Sequence, residues 1–213
     1  MRDRRSYMIA LVALVFGVAS LTIGYAAFSN SLTIKSSAEV KPASNTLNIG
    51  FSTVNNAITA GTVTATAVGT GASGADATIS GTTISGIKAT FTAPGQSVTY
   101  SFNVYNASSY VAYLNSVAYA NASGESSFKV CTAKTGTTQS YVTSACDGIS
   151  VTVSVGSYST NQSVASGISH SLAATTGEAV TVTIAYASGS TEADGDFDVA
   201  FGDITLGYST VNS

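Results

Sequence analysis

The sequence predicts an all-β protein: a jelly-roll-like antiparallel β-sandwich preceded by an N-terminal signal or transmembrane helix. Three observations lead there. A basic head and an apolar run open the chain, strand-forming residues dominate the remainder, and apolar side chains recur there at every second position. Three segments result: 1–26 as leader, 27–42 as a terminal strand with its connector, and 43–213 as the sandwich.

The leader begins with Arg2, Arg4 and Arg5 and runs apolar from Met8 to Ile23, closing on Gly24-Tyr25-Ala26-Ala27-Phe28. A cationic head, a greasy middle and small residues at the end describe a secretory signal peptide. Gly24 and Ala26 occupy the −3 and −1 positions, where the peptidase pocket takes only small side chains, so cleavage falls between Ala26 and Ala27. The apolar run is 16 residues and is interrupted by Gly17, Ser20 and Thr22; a spanning helix needs about 20. The other reading keeps the leader as a membrane anchor, the one contact with a membrane that the chain would then make. On both readings the remainder is extracellular or displayed at the cell surface.

Composition fixes the class of what is exported. The full chain has 9% charged and 45% apolar residues, 20 Gly and no Trp. Beyond the leader stand five lysines against ten acidic residues and no arginine, a formal charge of −5. Such a surface offers nucleic acid no electrostatic footprint. Apolar content at this level argues against a disordered linker.

The elements come in this order. Ala27–Lys35 alternates Phe28, Asn30, Leu32 and Ile34 against Ser29, Ser31 and Thr33, a strand with one mostly apolar face. Ser36–Pro42 is a soft connector, and Thr46–Thr53 repeats the alternation through Leu47, Ile49 and Phe51. Asn55–Gly86 reads as weak or edge strands between glycine turns. Ile87–Thr92 leads to a type II turn with Pro94 and Gly95 at its centre. Ser97–Asn106, Tyr110–Ala120, Phe128–Ala133, Gly148–Val155 and Glu178–Ala187 supply the core strands. The final strand, Asp196–Ser209, changes parity between Phe201 and Ile204, which predicts a β-bulge at Gly202-Asp203. No helical period is visible beyond the leader.

Cys131 and Cys146 bracket a Gly-, Ser- and Thr-rich loop, and export favours one disulfide between them over two free thiols. His170 is the one histidine, in the polar segment Ser166–Ser171, and reads as a solvated loop residue. These three residues cannot fill a zinc site, and no His-Glu-x-x-His motif exists. A Ser–His–Asp triad has no fixed order in sequence, and serine is too abundant here to point to one. Glu192, Asp194, Asp196 and Asp198 alternate at the start of the last strand. Asp194, Asp196 and Asp198 are weak calcium candidates. The simpler account makes Ala193-Asp194-Gly195 a hairpin turn with Asp196 and Asp198 on a solvent face. Asn106, Asn121 and Asn161 head formal glycosylation sequons, the expected by-product of Asn/Ser-rich loops.

Four short stretches resemble the TasA/camelysin family of exported biofilm-matrix proteins. They are Gly24–Asn30 at the leader, Ala43–Ile49 at the first core strand, Ala93–Val98 with Phe102–Asn106, and Phe197–Leu206 at the close. Asn55–Gly86 and the cysteine loop depart from the family pattern. The resemblance implies processing by a dedicated signal peptidase, then polymerisation of jelly-roll subunits into fibres by donor-strand complementation. The residues agree with this on their own account. Cleavage frees Ala27, Phe28, Asn30, Leu32 and Ile34 as an apolar strand at a tethered terminus, where backbone bonds and side-chain pockets of a neighbouring copy can receive it. The opposing reading folds this strand back into its own sheet.

The expected function is therefore that of a secreted structural subunit, not an enzyme, with no cofactor and with other copies of itself as principal partner. The contrasting classes are a membrane-anchored adhesin and, given that some camelysin-like proteins are classed as metallopeptidases, a secreted metallopeptidase.

Overall fold

A computed structural model describes residues 47–161 and 165–212. Sixteen strands and one helix succeed one another among the described residues. The first seven strands are short: β1 (Ile49–Ser52), β2 (Gly61–Val63), β3 (Ala65–Val68), β4 (Ser73–Ala75), β5 (Ala77–Ser80), β6 (Thr83–Ser85) and β7 (Lys88–Phe91). The longer ones then begin with β8 (Ser97–Asn106), β9 (Ala112–Tyr119) and β10 (Lys129–Ala133), followed by helix α1 (Gln139–Cys146). After it come β11 (Ile149–Val155), β12 (Tyr158–Asn161), β13 (Ala165–Leu172), β14 (Gly177–Tyr186), β15 (Phe197–Phe201) and β16 (Ile204–Ser209).

All the strand pairs are antiparallel and the fold is a β-sandwich. One layer is ordered β1-β8-β14-β11-β12, with β3 sharing the edge of β8 beside β1. The facing layer consists of two sheets, β10-β15-β7-β4 and β13-β9-β16-β6-β5-β2. The central triplets of the two sheets correspond strand for strand, since β9, β16 and β6 continue the lines of β10, β15 and β7. Backbone bonds stitch the break: Phe201 N–H to the Ile87 carbonyl, Gly202 N–H to Phe128 and Ala120 N–H to Asp203. The second layer is thus three long strands, each broken at one level.

Alternation explains which faces meet. Val98, Tyr100, Phe102 and Val104 of β8 are buried, as are Val180, Val182, Ile184 and Tyr186 of β14 and Ile149, Val151, Val153 and Val155 of β11. Against them pack Phe91, Phe197, Val199, Leu114, Val117, Ile204 and Leu206. Tyr186 spans the layers, 5.9 Å from Phe91 and 5.5 Å from Phe197 between ring centroids. Each such side chain contributes about 1.5–3 kcal/mol on full burial.

The Pro94-Gly95 turn forms with Gly95 at φ 89°, the sign that a type II turn demands at that position. Gln96 seals it, its Oε1 accepting the Thr92 N–H at 2.8 Å and its Nε2 donating to the Thr70 carbonyl at 2.7 Å. The region Asn55–Gly86 resolves into β2 to β6, short strands as the sequence suggests.

Several expectations need correcting. The parity change near Phe201 is more than a bulge: β15 pairs with β10 and β7 whereas β16 pairs with β9 and β6, so the chain changes sheets at Gly202-Asp203. A Cβ on Gly202 would collide with the Ala120 carbonyl oxygen, which explains the glycine. Ala193-Asp194-Gly195 is no hairpin turn, because β14 and β15 belong to opposite layers and the segment crosses between them. The loop between the cysteines contains helix α1, and the Ser-rich segment around His170 is strand β13. Asn106 is fully buried: its amide nitrogen lies 2.8–3.2 Å from the carbonyls of Tyr110, Leu172 and Ala173, and its Oδ1 accepts the Ser108 N–H. That asparagine is a structural bracket, closed to glycosylation.

Candidate functional site

The chemistry-bearing side chains gather at two places on one rim of the sandwich, where the margins of the two layers meet. The first lies between β10 and β11. Cys131 and Cys146 are joined as a disulfide with Cα atoms 6.0 Å apart, fastening the C-terminus of α1 to β10. Val142 and Ala145, one turn apart, are fully buried beneath the helix. Lys129 reaches the same end, its Nζ donating to the carbonyls of Cys146 at 2.6 Å and Ile149 at 2.8 Å. A lysine there satisfies the last helix carbonyl, that of Cys146, ties it to the start of β11 and meets the negative end of the dipole. Burial pushes its ammonium below the ordinary lysine range, with Asp147 opposing.

Gln139 completes this place. Its Oε1 accepts the Ala133 N–H at 2.8 Å and its Nε2 donates to the Cys131 carbonyl at 3.1 Å. At the start of α1, beside Gln139, no side chain of the helix caps it; the Thr138 N–H donates instead to Asp194 Oδ1 at 2.8 Å. Hydrogen bonds from Thr138 hold the exposed Asp194 carboxyl below the usual range.

The acidic stretch therefore has a structural use. Asp194 anchors the helix start. The Asp196 carbonyl accepts the Thr137 hydroxyl at 2.8 Å, and Asp198 accepts the Thr90 hydroxyl at 2.6 Å while pairing with Lys134 at 3.5 Å. The calcium candidates Asp194, Asp196 and Asp198 are not brought together; among the described residues no group of three His, Cys, Asp or Glu is placed to hold a metal ion. An open cleft of about 450 Å³ beside them is lined by Lys134, Thr137 and Asp196 among others.

The second place lies between β12 and β13. His170, expected in a solvated loop, points inward from β13, and its Nε2 sits 2.7 Å from Glu178 Oε2 of β14 in the other layer. The two side chains are 14% and 27% exposed. Tyr158 flanks the imidazole at 6.3 Å. Gly156 begins the β11–β12 turn at φ 53°, and a Cβ there would press on the Glu178 carboxylate. The hydroxyls of Tyr119 and Tyr208, from β9 and β16, are buried and, among the described residues, have no hydrogen-bond partner. Burial, with Tyr158 adding, pushes the Tyr119 phenol up to about 12; burial and then Glu178 push Tyr208 higher still.

Sequence reasoning missed β12, β13 and α1. The two-residue Gly156-Ser157 connection is a recognisable hairpin signal, and Ile168-Ser169-His170-Ser171-Leu172 alternates with histidine in an apolar slot. The predicted donor strand (Ala27, Phe28, Asn30, Leu32, Ile34) and cleavage residues (Gly24, Ala26, Ala27) lie outside the described residues. Among the described residues no helix is long and apolar enough to cross a membrane. No family model matches this chain, nor does any curated protein or solved structure.

Proposed function

We propose that this chain is a secreted structural subunit of the TasA/camelysin type, a jelly roll that assembles into extracellular matrix fibres by donor-strand complementation. Signal peptidase cuts after Ala26, and the freed strand from Ala27 to Lys35 enters a neighbouring copy, with Phe28, Leu32 and Ile34 filling pockets. Burying those three side chains is worth on the order of 5–8 kcal/mol before ordering costs. The chain's role is self-association, without catalysis, cofactor or nucleic acid.

The observation that carries the reading is the alternation of Phe28, Asn30, Leu32 and Ile34 directly behind a small-residue cleavage motif. An antiparallel β-sandwich downstream is the kind of acceptor such a strand requires. The test has two parts. Mass spectrometry of the native product should find Ala27 at the N-terminus, and negative-stain microscopy should find filaments that Leu32→Asp abolishes while leaving a folded monomer. An intact leader points to the anchored adhesin. Normal filaments from Leu32→Asp overturn donor insertion.

A further inference from the structure

Strand β10 is hydrogen-bonded to a strand on one side, β15, and on its other side to a side chain. Gln139 occupies the outward N–H of Ala133 and the outward carbonyl of Cys131. A primary amide carries an acceptor and a donor at nearly the spacing of a peptide group. It thus makes the two bonds that an added strand would make at those positions.

What keeps Gln139 there is the placement of α1. The helix is eight residues long and lacks a side-chain cap of its own. A helix so short is not stable alone, so its position depends on its tethers. The strongest is covalent and joins the far end of the helix, at Cys146, to Cys131 on the strand being covered.

We infer that α1 is a redox-released shield, and that reduction of Cys131–Cys146 exposes β10 as a pairing surface for β10 of a second copy of this chain. The reductant is a dithiol. It gives up two electrons and two protons and closes to its own disulfide, while the S–S bond breaks and Cys131 and Cys146 become thiols. Self-pairing suits the edge. Antiparallel β10 strands centred on Cys131 set Lys129 opposite Ala133 and Val130 opposite Thr132, so no like charges face each other. The pairing uses residues 129–133 and does not depend on the N-terminal strand.

The experiment uses the exported protein carrying Leu32→Asp, so that donor-strand assembly cannot contribute. Hydrogen exchange by mass spectrometry and sedimentation velocity are followed with and without dithiothreitol. On reduction, exchange at Ala133 should rise about tenfold or more while β8 and β14 stay protected. A concentration-dependent dimer should appear together with it. Adding Ala133→Pro, which removes an outward N–H, should suppress that dimer. With the disulfide intact, Gln139→Ala should speed exchange at Ala133 without producing the dimer. Unchanged exchange at Ala133 on reduction overturns the shield. Faster exchange with a monomer at every concentration overturns the pairing surface. Loss of protection throughout β8 and β14 overturns both, because the disulfide would then hold the whole sandwich together.

Discussion

Between β10 and β11 the two layers are closed by a helix that is covalently tied, packed through Val142 and Ala145, and held by Lys129. Between β12 and β13 they are closed by a half-buried His170–Glu178 pair flanked by Tyr158 and Tyr208. The first closure rests on a crosslink and apolar burial, with the Lys129 ammonium, pushed below its ordinary range by burial, at its margin. The second rests on a polar pair that reaches between the layers and on two buried phenols that, among the described residues, have no partner for their hydroxyls. One rim therefore has a crosslinked half and a polar half.

Removing the covalent tie should produce the largest effect. Cys131→Ser with Cys146→Ser should lower unfolding free energy by about 3 kcal/mol, the loop-entropy value for a separation near 15. The urea midpoint of the oxidised protein against the variant checks this.

The polar closure should break by a different rule. His170→Leu or Glu178→Leu alone leaves a partly buried partner unpaired and should cost about 1 kcal/mol, the two side chains being partly solvated. The double variant should cost less than the sum, and a double-mutant cycle in urea measures the coupling. Additive costs would mean that the pair is incidental. Gly156→Ala should reach the same pair indirectly, since its methyl displaces the Glu178 carboxylate; His170→Leu should then add little to it.

Alkali should separate the halves further. The folded state keeps Tyr119 protonated up to about 12 against 10.0 for an ordinary tyrosine, and Tyr208 is raised as well. The unfolded chain releases those protons first. Stability from these groups is intact below about pH 10 and disappears as pH climbs toward about 12. Urea midpoints across that range, read beside phenolate absorbance, should fall; Tyr119→Phe should fall less. The smallest effect belongs to the helix start. Asp194→Asn should leave the midpoint nearly unchanged and speed amide exchange at Thr138.

Which parts of this rim could be read beforehand depends on how each is stabilised. The strands β8, β11 and β14 show themselves because a run of large apolar residues falls at every second position and is buried. Helix α1 does not, since Ser140, Thr143 and Ser144 are indifferent helix formers and only Val142 and Ala145 mark a face. Tertiary tethers far from the local pattern decide its state. His170 escaped for the converse reason: its alternation is regular, but a polar residue in a core slot looks like loop until Glu178 arrives from another strand. The change of sheet at Gly202 left its trace as a parity shift, yet parity alone cannot tell a bulge from a crossing.

Strand β8 draws its neighbours from remote parts of the chain: Ile49 pairs with Asn106, and Thr183 lies 84 residues beyond its partner Thr99. Sheets built from such distant pairings form slowly, on the order of milliseconds to seconds. The shield over β10 is local by comparison, with Gln139 six residues from Ala133 and the cysteines 15 apart. Loops this short close in well under a microsecond, on the order of 10–100 ns for ten residues. The contacts that cover β10 can thus be tried many times before the sandwich is complete, while the disulfide that fixes them closes on the slower scale of seconds to hours.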